Sequence, residues 1–311
     1  MNIVLTCFII SYFFAINMIR PVEFIHPHDA AALRQLEGIP GFGALVKKIM
    51  QLGLEQMRYG VNMASNIRLS PTQLPKLYNR LPRICQKLGI EEPEFYLEMD
   101  PAPNAYTYGD SRIFITITSG LVELLDDDEL DAVIAHECGH ILCRHVLYHS
   151  IAEEIFKGAG KLGLLGDLAT PLKWAILHWW RMSELSCDRC ASIVTSPEVV
   201  SRFLARFSGG SKEITSELNI REWAMQAEKY EDLRSNNIWD KTLQLYVTLD
   251  LDHPFNAVRV NEILKWGESA QYADLMQNLN IEWSGKKCPN PECGRSVGSD
   301  WKFCKYCGEK L

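Results

Sequence analysis

No basic excess marks this chain. Its 311 residues carry 32 Lys and Arg against 39 Asp and Glu, a formal net charge of -7, which argues against a protein built to coat nucleic acid. Internal repeats and low-complexity tracts are missing too, so neither a repeat array nor a disordered tail is indicated. Past residue 19 there is no uninterrupted apolar run of the roughly 18 residues a membrane crossing needs, and the apolar stretch 155–181 is broken by Lys157, Lys161, Asp167 and Lys173. A multi-span membrane protein is thereby excluded. The ten cysteines lack the even spread of a secreted disulfide scaffold. Cys288, Cys293, Cys304 and Cys307 crowd the last 24 residues, while Cys7, Cys85, Cys138, Cys143, Cys187 and Cys190 are scattered, which points first to metal and to a reducing compartment. What is left is an ordinary folded composition, 47% hydrophobic and 23% charged, with length for one large domain or two smaller ones.

Residues 1–19 carry no charged side chain, and Arg20 follows them. They fit a secretory signal, although that would want a basic start and a small-residue cleavage site. They also fit a membrane anchor, since 19 helical residues reach about 28 Å, or an upstream extension of a chain that starts at Met18. The last two readings put the body in the cytoplasm, the anchor because its basic residue lies on the C-terminal side. From Asp29 to about Gly89, Leu33, Leu36, Leu45, Ile49, Leu52, Leu54 and Met57 recur at helical steps, with a break at Pro40-Gly41. Residues 94–98 and 103–118 turn to strand character, the latter as two runs around Gly109-Asp110, which predicts a small antiparallel sheet. The acidic run from Asp126 to Asp131 suits the first turn of a helix. Helical pattern resumes near Pro171 and continues over 197–283, with breaks at Gly209-Gly210 and Asp252-His253-Pro254.

The sharpest signal is His136-Glu137-Cys138-Gly139-His140. On a helix, positions i and i+4 lie about 40° apart, so both imidazoles can present nitrogen to one zinc ion. Glu137, about 100° from His136, can reach a water instead of the metal. Two neutral nitrogen ligands, a third protein ligand, an open position and a carboxylate base make a hydrolytic zinc site. No histidine stands at the metzincin spacing, where Val146 is found. Glu184 is the best candidate for the third ligand, with Asp188 one turn on and on the same face, where a carboxylate can accept the second ring N–H of a ligand histidine. The plain alternative is a solvated helix face. His145 and His149 repeat the i, i+4 pair but fall at about 180° and 220° from His136, opposite the site on a continuous helix. Without an intervening glutamate, they read as packed or surface histidines rather than a second metal site. Cys187 and Cys190, spaced CxxC, read as small core residues, with oxidation or metal binding near the site as the alternative.

These motifs resemble the zinc metallopeptidase family that contains the heat-shock protease HtpX and the CAAX prenyl endopeptidases. Asn104-Ala105-Tyr106 is similar to the family's edge strand, and His253-Pro254 with Arg259 to its HPxxxxR element, so the likeness spans about residues 95–265. It implies a mostly helical α+β fold of the gluzincin type, with zinc held by His136, His140 and Glu184. By the same resemblance Glu137 is the general base, Asp188 stands behind the ligands, and His253 and Arg259 approach late in the chain. Protein or peptide substrates would align along Asn104, Ala105 and Tyr106 by β-addition, and a place in protein quality control follows from the family. His253 then serves as a donor to the oxyanion or, alternatively, caps the helix start before Pro254. The multi-span segments of the family's membrane members are absent here.

In the tail, Cys288 and Cys293 are spaced C-x4-C and, ten residues on, Cys304 and Cys307 are spaced C-x2-C. Four thiolates in two pairs bring tetrahedral geometry within reach of a segment too small to fold on a core alone. The tail looks like a zinc ribbon with a widened first knuckle, and two disulfides are the alternative. Six Lys and Arg against three Asp and Glu give residues 284–311 a charge of +3 and leave -10 for residues 1–283. With Trp301, Phe303 and Tyr306 among its lysines, the tail could meet a partner protein or nucleic acid, or be solvated surface alone. The expected organisation is an apolar segment over 1–19, a metallopeptidase domain over 20–283 and a zinc ribbon over 284–311. It would hold two zinc ions, one catalytic and one structural, and the anchor reading adds a membrane surface as partner. The rival is a vestigial peptidase scaffold that acts through its ribbon.

Overall fold

The computed structural model describes residues 19–50, 53–157, 169–236, 255–279, 283–291, 296–298, 302–304 and 308–311. The readings made above for residues 1–18 and for His253, Cys293 and Cys307 lie outside them.

Three helices lead, α1 (Pro27–Glu37), α2 (Phe42–Met50) and α3 (Leu54–Ser65). The breaks fall at Gly41 and Gly53, both at positive φ, the first of them in the Pro40-Gly41 pair. Helix α4 (Arg80–Leu88) follows, with Leu81, Ile84, Cys85 and Leu88 buried along one face.

Four strands, β1 (Ile67–Arg68), β2 (Glu94–Glu98), β3 (Ala105–Tyr108) and β4 (Phe114–Thr118), form one sheet in the order β1-β2-β4-β3. The β3–β4 pair is the antiparallel hairpin expected around Gly109-Asp110, with Ala105 opposite Ile117 and Tyr108 opposite Phe114. The sheet as a whole is mixed rather than antiparallel. After β2 the chain runs past the centre to lay β3 at the edge, and the hairpin returns β4 into the gap, parallel to β2. All five β4 residues are buried accordingly, whereas β3 keeps an outer edge.

Helix α5 (Asp127–Leu142) opens on a capping box. The Asp126 carboxylate accepts from the Glu129 N–H at 3.0 Å, and Glu129 reaches back to the Asp126 N–H at 3.1 Å. Its end departs from the sequence pattern. The apolar periodicity runs on without a break, yet Arg144 stands in the left-handed region (φ 60°) and the His145 N–H closes on the His140 carbonyl at 2.8 Å. Helix α6 (Val146–Lys157) therefore starts in a new direction. No glycine or asparagine announces this turn.

Helix α7 (Ala169–Val194) packs along α5 and α1, and α8 (Pro197–Gly209), α9 (Ile220–Asn236), α10 (Asn256–Gly267) and α11 (Ala270–Leu279) complete the body. One core cluster joins the sheet to α4, α5, α8 and α10 through residues such as Phe95, Ile117, Ile134, Phe203 and Ile263. A second lies between α1, α2, α6 and α7 and contains Leu36, Phe42, Ile151, Trp179 and Trp180. In the tail, β5 (Trp283–Lys287) pairs antiparallel with β6 (Ser296–Gly298), and Cys288, Val297 and Cys304 are buried together. Among the described residues no helix is long and apolar enough to cross a membrane.

Candidate metal centre

Helices α5 and α7 meet at Gly139. A Cβ there would stand 3.0 Å from the Cys190 Cβ and 3.2 Å from the Cys187 Cα, so the missing side chain is what lets the two backbones approach. Cys187 and Cys190 are fully buried in this contact, as core residues would be.

The approach sets His136 and His140, one turn apart on α5, against Glu184 on α7. His136 Nε2 lies 3.2 Å from Glu184 Oε2, and His140 Nε2 lies 3.4 Å from Glu184 Oε1. All three side chains are buried. Behind His136, its Nδ1 is 3.1 Å from Asp188 Oδ1. Asp188 also accepts from Arg259 of α10 at 2.8 Å (Nε) and 2.6 Å (Nη2), and Arg259 Nη1 stands 3.6 Å from Glu184 Oε2. Glu137 faces the other way, toward the sheet, where its Oε2 accepts from the Thr107 hydroxyl of β3 at 2.7 Å.

Electrostatics follow from burial and these partners. Burial opposes a charge on His136, but the Glu184 and Asp188 carboxylates outweigh it and push its pKa up to about 9. Burial prevails at His140 and lowers its pKa. At Asp188 burial again opposes ionisation, and the Arg259 guanidinium with His136 overcomes it, holding the carboxyl below its usual range. The site is thus a buried cluster in which two imidazoles and one guanidinium face the carboxylates of Glu184 and Asp188.

Two imidazole nitrogens facing both oxygens of one buried carboxylate form a donor set that fits zinc. Ligand-type atoms of His136, His140 and Cys187, and likewise of His140, His149 and Glu184, lie within 4.8 Å of one another.

The pattern of Peptidase family M48 matches residues 71–267, which contain every one of these side chains. The chain belongs to peptidase family M48. It is 34% identical over 263 residues to the plastoglobule-localized metallopeptidase 48, chloroplastic, of Arabidopsis thaliana, covering 83% of this chain and 76% of that one. A protease HtpX homolog of Tropheryma whipplei (strain Twist) is 34% identical over 113 residues, 36% of this chain and 38% of that protein. The crystal structure of S. mikatae Ste24p aligns with a TM-score of 0.45 at 16% identity, over 75% of this chain and 60% of that one.

Within this M48 metallopeptidase, the structure brings together His136, Glu137, His140, Glu184, Asp188 and Arg259. Ala105 and Tyr106 lie on edge strand β3, and Asn104 precedes it, its N–H bound to Thr118 Oγ1 at 2.9 Å. The helical-wheel placement of His145 and His149 opposite the site does not hold. The Arg144 turn folds them back, so His145 Nδ1 lies 3.3 Å from His140 Nδ1, and the His149 ring lies 4.5 Å from that of His140. Both are buried, and His149 Nε2 pairs with Ser183 Oγ at 2.8 Å. Thr107 is a functional neighbour that sequence reasoning passed over. The available signal was a polar residue in the strand after Tyr106, on the opposite face by the two-residue alternation.

Proposed function

We propose that the chain is a zinc-dependent endopeptidase acting on unfolded protein segments, in the manner of protein quality control. One arrangement carries this reading: the Nε2 atoms of His136 and His140 face the two oxygens of Glu184, while the intervening Glu137 turns toward edge strand β3. Zinc held by those three residues supplies Lewis acidity at the scissile carbonyl. The rest of the work falls to the chain. Glu137 takes the proton of the attacking water and returns it to the leaving amine, a transfer that needs the carboxylate held by Thr107. Asp188, fixed by Arg259, accepts from His136 Nδ1 and so leaves Nε2 free to bind. Residues Asn104, Ala105 and Tyr106 offer an edge to an extended substrate, a mode that reads backbone more than side chain and suits varied unfolded sequences. His253 is assigned to the oxyanion on its sequence alone.

The test is Glu137→Gln. It should retain zinc and lose hydrolysis of an unfolded protein, whereas cleavage at the parent rate would refute the assignment and favour a scaffold that works through its tail. For that tail we infer a structural zinc on Cys288, Cys293, Cys304 and Cys307, supported by the burial of Cys288 and Cys304 around Val297. Metal analysis should find about two zinc ions in the full chain and one after truncation at residue 283, the remaining ion being lost in His136→Ala.

A further inference from the structure

Asp29 is a fully buried carboxylate in the first turn of α1, well before the residues matched by the family pattern. Its surroundings are all donors. Oδ1 accepts from Trp179 Nε1 at 3.2 Å and Oδ2 from Ser186 Oγ at 2.5 Å, and His145 Nε2 lies 3.1 Å from the same Oδ2. The opposite nitrogen of His145, Nδ1, faces His140 Nδ1 at 3.3 Å. The chain Asp29, His145, His140 therefore runs from the N-terminal helix into the metal centre through groups that are each at most 5% exposed.

Proton placement along this chain is determined by chemistry. A neutral His140 whose Nε2 lone pair faces a metal must carry its proton on Nδ1. Two facing ring nitrogens share a hydrogen bond when one is protonated and the other is not, so His145 Nδ1 accepts. Neutral His145 then holds its proton on Nε2, the nitrogen 3.1 Å from Asp29 Oδ2. Cys187 Sγ lies 3.6 Å from His145 Nδ1, and burial raises its pKa so that it stays a thiol and places no second anion beside the relay.

We propose that Asp29 and His145 are positioning residues of the metal centre: together they fix the ring orientation and tautomer of His140, which makes the N-terminal helix part of the site. The proposal rests on the reading of His136, His140 and Glu184 as the zinc ligands. It is the counterpart, on the other histidine, of the Asp188–Arg259 arrangement behind His136. Asparagine at position 29 cannot reproduce it. An amide nitrogen at the Oδ1 position would meet the Trp179 N–H, so the amide settles with nitrogen toward Ser186 and His145. His145 then reverses its tautomer, and His140 is pushed toward carrying its proton on Nε2, the form that cannot bind metal.

The experiment compares the full-length parent, Asp29→Asn and Trp179→Phe for zinc affinity by competition with a chromophoric chelator, together with thermal unfolding of the metal-free forms. Asp29→Asn should weaken zinc binding 10–100-fold. Trp179→Phe, which removes a donor to Asp29 and leaves the relay intact, should lower the melting temperature and keep the affinity within about threefold. Equal affinity of Asp29→Asn and parent would overturn the proposal. Because Asp29→Asn could fail to fold, the zinc-loaded parent provides a second readout. In 15N-histidine spectra His145 should show the Nε2–H tautomer and His140 the Nδ1–H tautomer, and the reverse at His145 overturns the relay. A parent that binds no zinc refutes the ligand assignment as well, whereas a zinc-loaded parent with an unaffected Asp29→Asn refutes the relay alone.

Discussion

Replacing Asp188 by asparagine probes the ion pair behind His136. In the native protein Asp188 takes two hydrogen bonds from Arg259, at 2.8 and 2.6 Å, and both residues are buried. Removing the negative charge strands a guanidinium that cannot lose its proton, and breaking a buried pair costs about 3–5 kcal/mol. Asparagine keeps one acceptor, so the lower end, about 3 kcal/mol, is expected. At roughly 2–4 °C per kcal/mol for a domain of this class, the metal-free variant should melt about 6–12 °C below the parent. Arg259 then has one buried carboxylate within reach, Glu184 at 3.6 Å, and its attraction there competes with the metal. Zinc affinity should fall 10–100-fold on this account. Calorimetric melting and chelator competition measure the two effects. Adding Arg259→Gln to Asp188→Asn removes the stranded charge and should recover part of the lost melting temperature. A double variant no more stable than the single one, or a single variant melting within about 2 °C of the parent, would refute the reasoning.

Thr107→Val keeps the shape of β3 and deletes the 2.7 Å hydrogen bond to Glu137. Bonds to charged groups contribute roughly 1.5–3 kcal/mol, so kcat should drop at least about tenfold with KM little changed, as steady-state kinetics on a peptide substrate would show. In the metal-free protein the His136 pKa is raised to about 9 from the usual 6.5. A raised histidine pKa stabilises the fold fully below pH 6.5, and that contribution is lost as pH climbs through about 9. Zinc requires the neutral ring, so its binding at pH 7 should release about one proton, seen as a dependence of the calorimetric heat on buffer ionisation enthalpy.

Much of the centre was legible because helix geometry turns spacing into direction. A step of four positions from His136 to His140, and of four from Glu184 to Asp188, sets each pair on one face whatever the rest of the chain does, and a glycine between the histidines is compatible with a close crossing. The acidic run that opens α5 and the Gly109-Asp110 hairpin were legible for similarly local reasons. What could not be read depended on conformations or contacts that leave no periodic trace. Arg144 adopts a left-handed turn that its side chain does not advertise, and this one residue moves His145 and His149 from the far side of a helix into the site. The place of β4 between β2 and β3 is a matter of long-range pairing, invisible in the alternation of either strand. Asp29 sits among helix-start residues, where an acidic side chain has an ordinary explanation, and only packing against Trp179, Ser186 and His145 gives it another.

The centre draws on side chains from Asp29 in the first helix to Arg259 in α10, with the helices bearing the histidines and Glu184 between them. A ribosome adding about 5–20 residues per second exposes these elements tens of seconds apart. While the chain is still being made, His136 and His140 can be present without the Arg259 that holds Asp188. The brace behind His136 is therefore complete only when Arg259, far downstream of that histidine, has been made.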